Sequence, residues 1–290
     1  MAGVIGRIAP WRQSAWDWRA AGNFICGGSG AGLLLIAAIG AGPSYPIQAA
    51  IGMILIGLGL LSVWAEIGRP WRALNVFRHA RTSWMTREAL LAPVLFLAGT
   101  CAVVLSGRLF VWTTAALAVI YLYCQARMLN AGRGIPAWRH RYTIPLIMVT
   151  GCAEGAGWCV LTQAMLDARA MPAWLPWALA ALAVARLLIY AVYRSTLARA
   201  GAPRNALAVL TKFGWRLAAL DVAVVLAVIV SVVLAASSGI AAVAGLLAVL
   251  SGALLKYTIV VRAAFNQGFA LPRMPDRGSG SISAVVKPGW

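Results

Sequence analysis

Eight stretches of about twenty residues, near 22–42, 47–67, 88–106, 109–127, 143–166, 173–194, 213–236 and 239–262, are almost wholly apolar and are separated by charges, prolines and glycines. Each stretch is long enough to cross the hydrocarbon core of a bilayer as a helix, since about 20 residues at ~1.5 Å per residue cover ~30 Å. A membrane β-barrel would instead show short segments alternating at every second position. Only 11% of the residues are charged and 62% are hydrophobic, whereas a soluble domain carries about 25% charged residues. The expected fold is therefore all-α: one polytopic membrane domain over 1–290, with an eight-helix bundle over 22–262 and a C-terminal tail over 263–290. Only Ser237, Ser238 and Gly239 separate the last two runs, which predicts a tight antiparallel hairpin. Residues 1–19 mix Trp11, Arg12, Trp16, Asp17, Trp18 and Arg19, so the first run is expected to be kept rather than cleaved as a secretory leader.

The basic residues set an expected orientation. With eight spans, 22 of the 25 Lys and Arg residues fall on the side that holds both termini. Lys256 and Arg262 are counted there, only Arg108 and Arg169 lie on the other side, and Arg186 sits inside the sixth span. Cytoplasmic loops are the ones enriched in Lys and Arg, so both termini and all the long loops are expected in the cytoplasm. The net charge of +18 does not require nucleic acid, because the cations lie beside membrane spans and would face anionic lipid headgroups. Trp18, Trp64, Trp71, Trp84, Trp112, Trp138, Trp174, Trp177 and Trp215 lie near span ends, as an interfacial aromatic belt requires.

Carboxylates near or inside a span mark the candidate sites, because an uncompensated charge there is costly. Glu66 ends the second run and Glu88 opens the third, flanking a polar segment rich in arginine. Glu88 either handles protons or forms an ion pair with Arg87 or Arg81; Glu66 has the same choice, with Arg69 one helical turn away. Glu154 lies among Gly151, Gly155 and Gly157, where small residues allow close helix approach and where a proton path is the alternative. Asp221 is expected to pair with Lys212 or Arg216. Asn23, at the start of the first span, could either hydrogen-bond a quinone carbonyl or bridge two helices.

Redox metal centres are not expected in this chain. Its two histidines, His79 and His140, fall in loops, whereas a bis-histidine haem in the bilayer needs ligands on spans. Cys26, Cys101, Cys124, Cys152 and Cys159 show no CxxC spacing, so they read as small core residues rather than ligands of an iron–sulfur cluster.

Gly68-Arg69-Pro70-Trp71-Arg72-Ala73, followed by Arg81-Thr82-Ser83-Trp84-Met85-Thr86-Arg87-Glu88, resembles the loop of the membrane anchor subunit of dimethyl sulfoxide reductase and, more widely, of the polysulfide and nitrite reductase anchors. The stretches 18–28 and 265–272 look most like the branch found with phenylacetyl-CoA:acceptor oxidoreductase. The resemblance implies a three-subunit complex of the bacterial inner membrane. A molybdopterin catalytic subunit and an iron–sulfur electron-transfer subunit would lie on the cytoplasmic side, and this anchor would exchange electrons with ubiquinone or menaquinone while holding no haem, cluster or molybdenum. It further implies a quinol-linked glutamate at the place of Glu88, while Glu66 stands where that family has a histidine. Quinone contacts are expected from Asn23, Glu66, Arg69 and Glu88, proton transfer from Glu88, Glu66 and Glu154, and partner docking from Arg72, Arg78, Arg81 and Arg87. A secondary transporter, or a purely structural anchor, is the competing class.

Overall fold

Eight long helices account for nearly all of the structure, a computed structural model that describes residues 9–40, 42–66, 81–105, 107–166, 168–233 and 238–268. They are α1 (Trp18–Gly40), α2 (Tyr45–Glu66), α3 (Trp84–Leu105), α4 (Arg108–Asn130), α5 (Thr143–Leu166), α6 (Trp174–Arg199), α7 (Arg204–Val233) and α8 (Ser238–Arg262). All eight are long and apolar enough to cross a membrane, and no strand forms among the described residues. The expected polytopic all-α fold is thus observed.

One expected loop is helical. The polar stretch between the sixth and seventh runs belongs to the last turns of α6 and the first turns of α7, leaving only 200–203 as a connection. Its Arg, Lys, Leu and Ala residues are good helix formers even though they are too polar for hydrocarbon, so hydropathy marks the edge of the bilayer rather than the end of the helix. The 30 residues of α7 span about 45 Å, well beyond a core of ~30 Å.

The helices pack as two groups of four, α1–α4 and α5–α8, joined where α5 lies against α1 and α4. α1 and α5 are the most enclosed helices. Their small residues explain the fit: a Cβ on Gly32 would stand 1.8 Å from the Gly151 carbonyl oxygen, and one on Gly155 would stand 2.1 Å from the Gly32 carbonyl carbon. The glycines around Glu154 therefore do serve close helix approach, as the sequence suggested.

The described residues just before the first helix and just after the last, 9–17 and 263–268, lie at one end of the bundle and are tied together. The Gln13 N–H donates to the Ala264 carbonyl at 2.9 Å, the Asn266 N–H donates to the Trp11 carbonyl at 3.0 Å, and Arg12 and Phe265 form an antiparallel bridge. Asp17 caps α1 by accepting from the Arg19 N–H, and the Arg19 side chain, bonded to the same carboxylate, holds it below its ordinary titration range. Trp138 departs from the expected belt: it is buried, stacks on Trp16 and donates its indole N–H to the Ile259 carbonyl at 2.9 Å. Trp18, Trp64, Trp112, Trp174 and Trp177 do stay exposed near helix ends, Trp84 is half-buried at the start of α3, Trp215 is exposed but lies eleven residues inside α7, and Trp71 lies outside the described residues.

Candidate functional site

The site begins with a widened turn. α1 opens with an α-helical turn and then passes through a π-helical turn, Asn23–Gly27, before resuming at Gly28. A π turn shifts backbone bonds from i+4 to i+5 and so frees carbonyls for other donors. The Gln125 amide on α4 takes that role, donating to the Asn23 carbonyl at 2.9 Å and to the Glu88 carboxylate on α3 at 3.1 Å. The Asn23 side-chain amide donates to the same Glu88 oxygen at 3.3 Å. All three side chains are buried, with Glu88 only 2% exposed. The side-chain carbonyl oxygens of Asn23 and Gln125 are buried without a hydrogen-bond partner among the described residues, and the buried hydroxyl of Tyr121 adjoins the Glu88 carboxylate.

Asn23 therefore does bridge two helices, and it does so through Glu88. The ion pair weighed for Glu88 is replaced by these amides. The Arg87 side chain donates to the Arg81 carbonyl at 2.8 Å and lays its guanidinium 4.1 Å from the centre of the Trp84 ring, with Arg127 4.7 Å from the same ring. The physical reason is helical phase: adjacent residues on α3 point in different directions, so Glu88 faces the bundle while Arg87 faces its rim. Glu66 has other neighbours, since it ends α2 partly exposed, close to the charges of Arg19 and Asp17. Arg69, Arg72 and Arg78, with His79, lie outside the described residues, and so does the Arg69 pairing considered for Glu66.

A second buried cluster adjoins the first. Glu154 at the middle of α5 accepts from the Ser29 hydroxyl at 2.9 Å and is ion-paired with Lys256 of α8, both charged side chains being fully buried. Gly28 connects the two clusters: the point where its Cβ would sit lies 2.3 Å from the Lys256 ammonium and 3.2 Å from the Gln125 carbonyl oxygen. Lys256, counted on sequence with the basic face, is thus a core residue. Asp221 likewise departs from expectation, pairing with Arg186 of α6 and accepting from the Ser251 hydroxyl at 2.7 Å rather than meeting Lys212 or Arg216. Lys212 and Arg216 lie on the exposed side of α7, whereas Asp221 points inward.

The residues that complete the site, Gln125, Ser29, Lys256 and Ser251, carry no motif. A carboxylate inside a span needs a cation inside a span, and that rule would have pointed from Asp221 to Arg186, the arginine within the sixth run, rather than to Lys212 or Arg216. Near the opposite end of the bundle the Gln48 amide donates to Thr162 at 3.1 Å and to Gln163 at 3.4 Å, a smaller polar cluster two helical turns beyond Glu154. Among the described residues, no group of three His, Cys, Asp or Glu side chains could hold a metal. Compared with models of known protein families and with curated proteins, the chain matches none.

Proposed function

We propose that this membrane protein is the quinone-exchanging anchor of a molybdopterin and iron–sulfur oxidoreductase complex of the bacterial inner membrane. The observation that carries the reading is the buried Asn23–Glu88–Gln125 cluster beside the π turn of α1. Converting a quinone to a quinol takes two electrons and two protons, so a site needs a protonatable group next to hydrogen-bonding partners. Glu88 supplies the first, and the unpaired oxygens of Asn23 and Gln125 can accept from a quinol hydroxyl. Asn23 lies five residues into α1 and Glu88 four residues into α3, about 6–8 Å from the helix ends, a depth a quinone headgroup can reach. Glu66 would flank the headgroup at the end of α2, and Arg69 is the further quinone contact in this reading. Glu88 is the first proton carrier and Glu66 the second, with Glu154 as a further carrier deeper in the bundle.

In this reading Arg72, Arg78, Arg81 and Arg87 dock an iron–sulfur subunit on the cytoplasmic side, which in turn contacts the molybdopterin subunit. A coenzyme A thioester is an intracellular substrate and suits catalytic partners on that side, so phenylacetyl-CoA oxidation is the favoured reaction. Gentle detergent purification through a tag on this chain tests the proposal. It predicts co-purifying iron, molybdenum and bound ubiquinone or menaquinone. A chain that purifies without those partners and by itself moves a solute across proteoliposomes would instead be a transporter, a reading favoured by the two ion pairs buried inside the bundle.

A further inference from the structure

Three cations converge on the outer seam between α7 and α8, and no carboxylate among the described residues pairs with them. Lys212 and Arg216 on α7 and Arg262 at the end of α8 line a recess of about 80 Å³ that also contains Thr258. Each of the three is exposed, and none shares an ion pair with a carboxylate among the described residues. Among the described carboxylates, Asp17 is held by Arg19, Glu154 by Lys256, Asp221 by Arg186 and Glu88 by Asn23 and Gln125, while Glu66 lies at the end of α2 beside Arg19 and Asp17. Like charges gathered at one point repel, so an anion between them is favoured.

The position of the recess selects the anion. Counting about 20 residues back from Val233 places the edge of the hydrocarbon between Lys212 and Arg216, at the level of lipid headgroups. Trp215 beside them is 78% exposed, as an interfacial tryptophan would be. Below the recess the surface turns apolar: Leu254, four residues before Thr258, and Leu250 are both about half exposed on α8 and present hydrocarbon for an acyl chain. We infer that this seam binds one anionic phospholipid, its phosphate held by Lys212, Arg216 and Arg262 and its tail laid along α8.

The test uses the purified full chain in detergent and counts retained dioleoyl-phosphatidylglycerol against dioleoyl-phosphatidylcholine by native mass spectrometry. The anionic lipid should be retained preferentially. Binding should fall about a hundredfold in the triple variant Lys212→Gln, Arg216→Gln, Arg262→Gln and about fivefold in Arg262→Gln alone, which decides the matter if the triple variant does not fold. Arg141→Gln, which removes an exposed cation elsewhere on the same end, should bind as the parent does. Undiminished phosphatidylglycerol binding in the seam variants, or equal loss in Arg141→Gln, would overturn the site. Displacement of the lipid by millimolar inorganic phosphate would make the recess a free-anion site. If the seam variants lose co-purifying subunits while keeping the lipid, the recess is a protein docking surface instead.

Discussion

Lys256 on α8 closes on Glu154 on α5 as a fully buried ion pair, and the Ser29 hydroxyl of α1 donates to the same carboxylate. Three helices from both halves of the bundle are joined at that point. Breaking a buried pair by removing one partner strands the other charge, which costs about 3–5 kcal/mol, whereas replacing both can be nearly neutral. Lys256→Met alone should therefore unfold at distinctly lower temperature in detergent, and Lys256→Met with Glu154→Leu should recover most of the loss. A double variant as unstable as the single would show that the pair does not act as a unit.

Close approach of α1 and α5 gives a sharper test of packing. Gly32→Ala drives a methyl group into the Gly151 carbonyl, where backbone must move, and should greatly reduce the yield of folded protein. Gly134→Ala meets nothing within 4 Å and should leave yield and melting unchanged. Size-exclusion profiles of the two variants would separate them.

His140 predicts a pH dependence. Burial, with Arg141 nearby, holds its imidazole below the ordinary value of 6.5. A histidine that titrates lower in the folded than in the unfolded state favours the neutral form, so its contribution is present above about pH 6.5 and is lost as pH falls through the folded value. Melting curves at pH 8, 7, 6 and 5 should show a decline for the parent that His140→Gln reduces. Identical declines would remove His140 as the cause.

Orientation is testable separately from function. Reporter fusions at 201–202 and after the last helix should read as cytoplasmic, and a fusion at 106–107 as exported. The opposite pattern would put the arginines of 69–87 outside the cell and exclude a cytoplasmic redox partner.

The bundle was legible in the sequence because its signal is summed over twenty residues at a time: all eight runs became helices, with ends displaced mainly at α6 and α7, where good helix formers continue past the hydrocarbon. The pairings were much less legible. Glu88 and Arg87 are adjacent in the chain yet point in different directions, while Glu154 and Lys256 are 102 positions apart and meet. Local spacing favoured Lys212 and Arg216 for Asp221, but helical phase put them on the lipid side and left Arg186 as the inward cation. The glycines, by contrast, could be read directly, since two backbones in contact admit no other residue.

The most direct test of the account is Glu88→Gln in the purified complex, assayed both with a soluble quinone analogue and with an artificial dye that bypasses the membrane subunit. General acid–base groups contribute about a hundredfold or more, so quinone-linked turnover should fall by roughly that factor while dye-linked activity is unchanged. Equal loss in both assays, or no loss in either, would contradict the assignment of Glu88 to the quinone site.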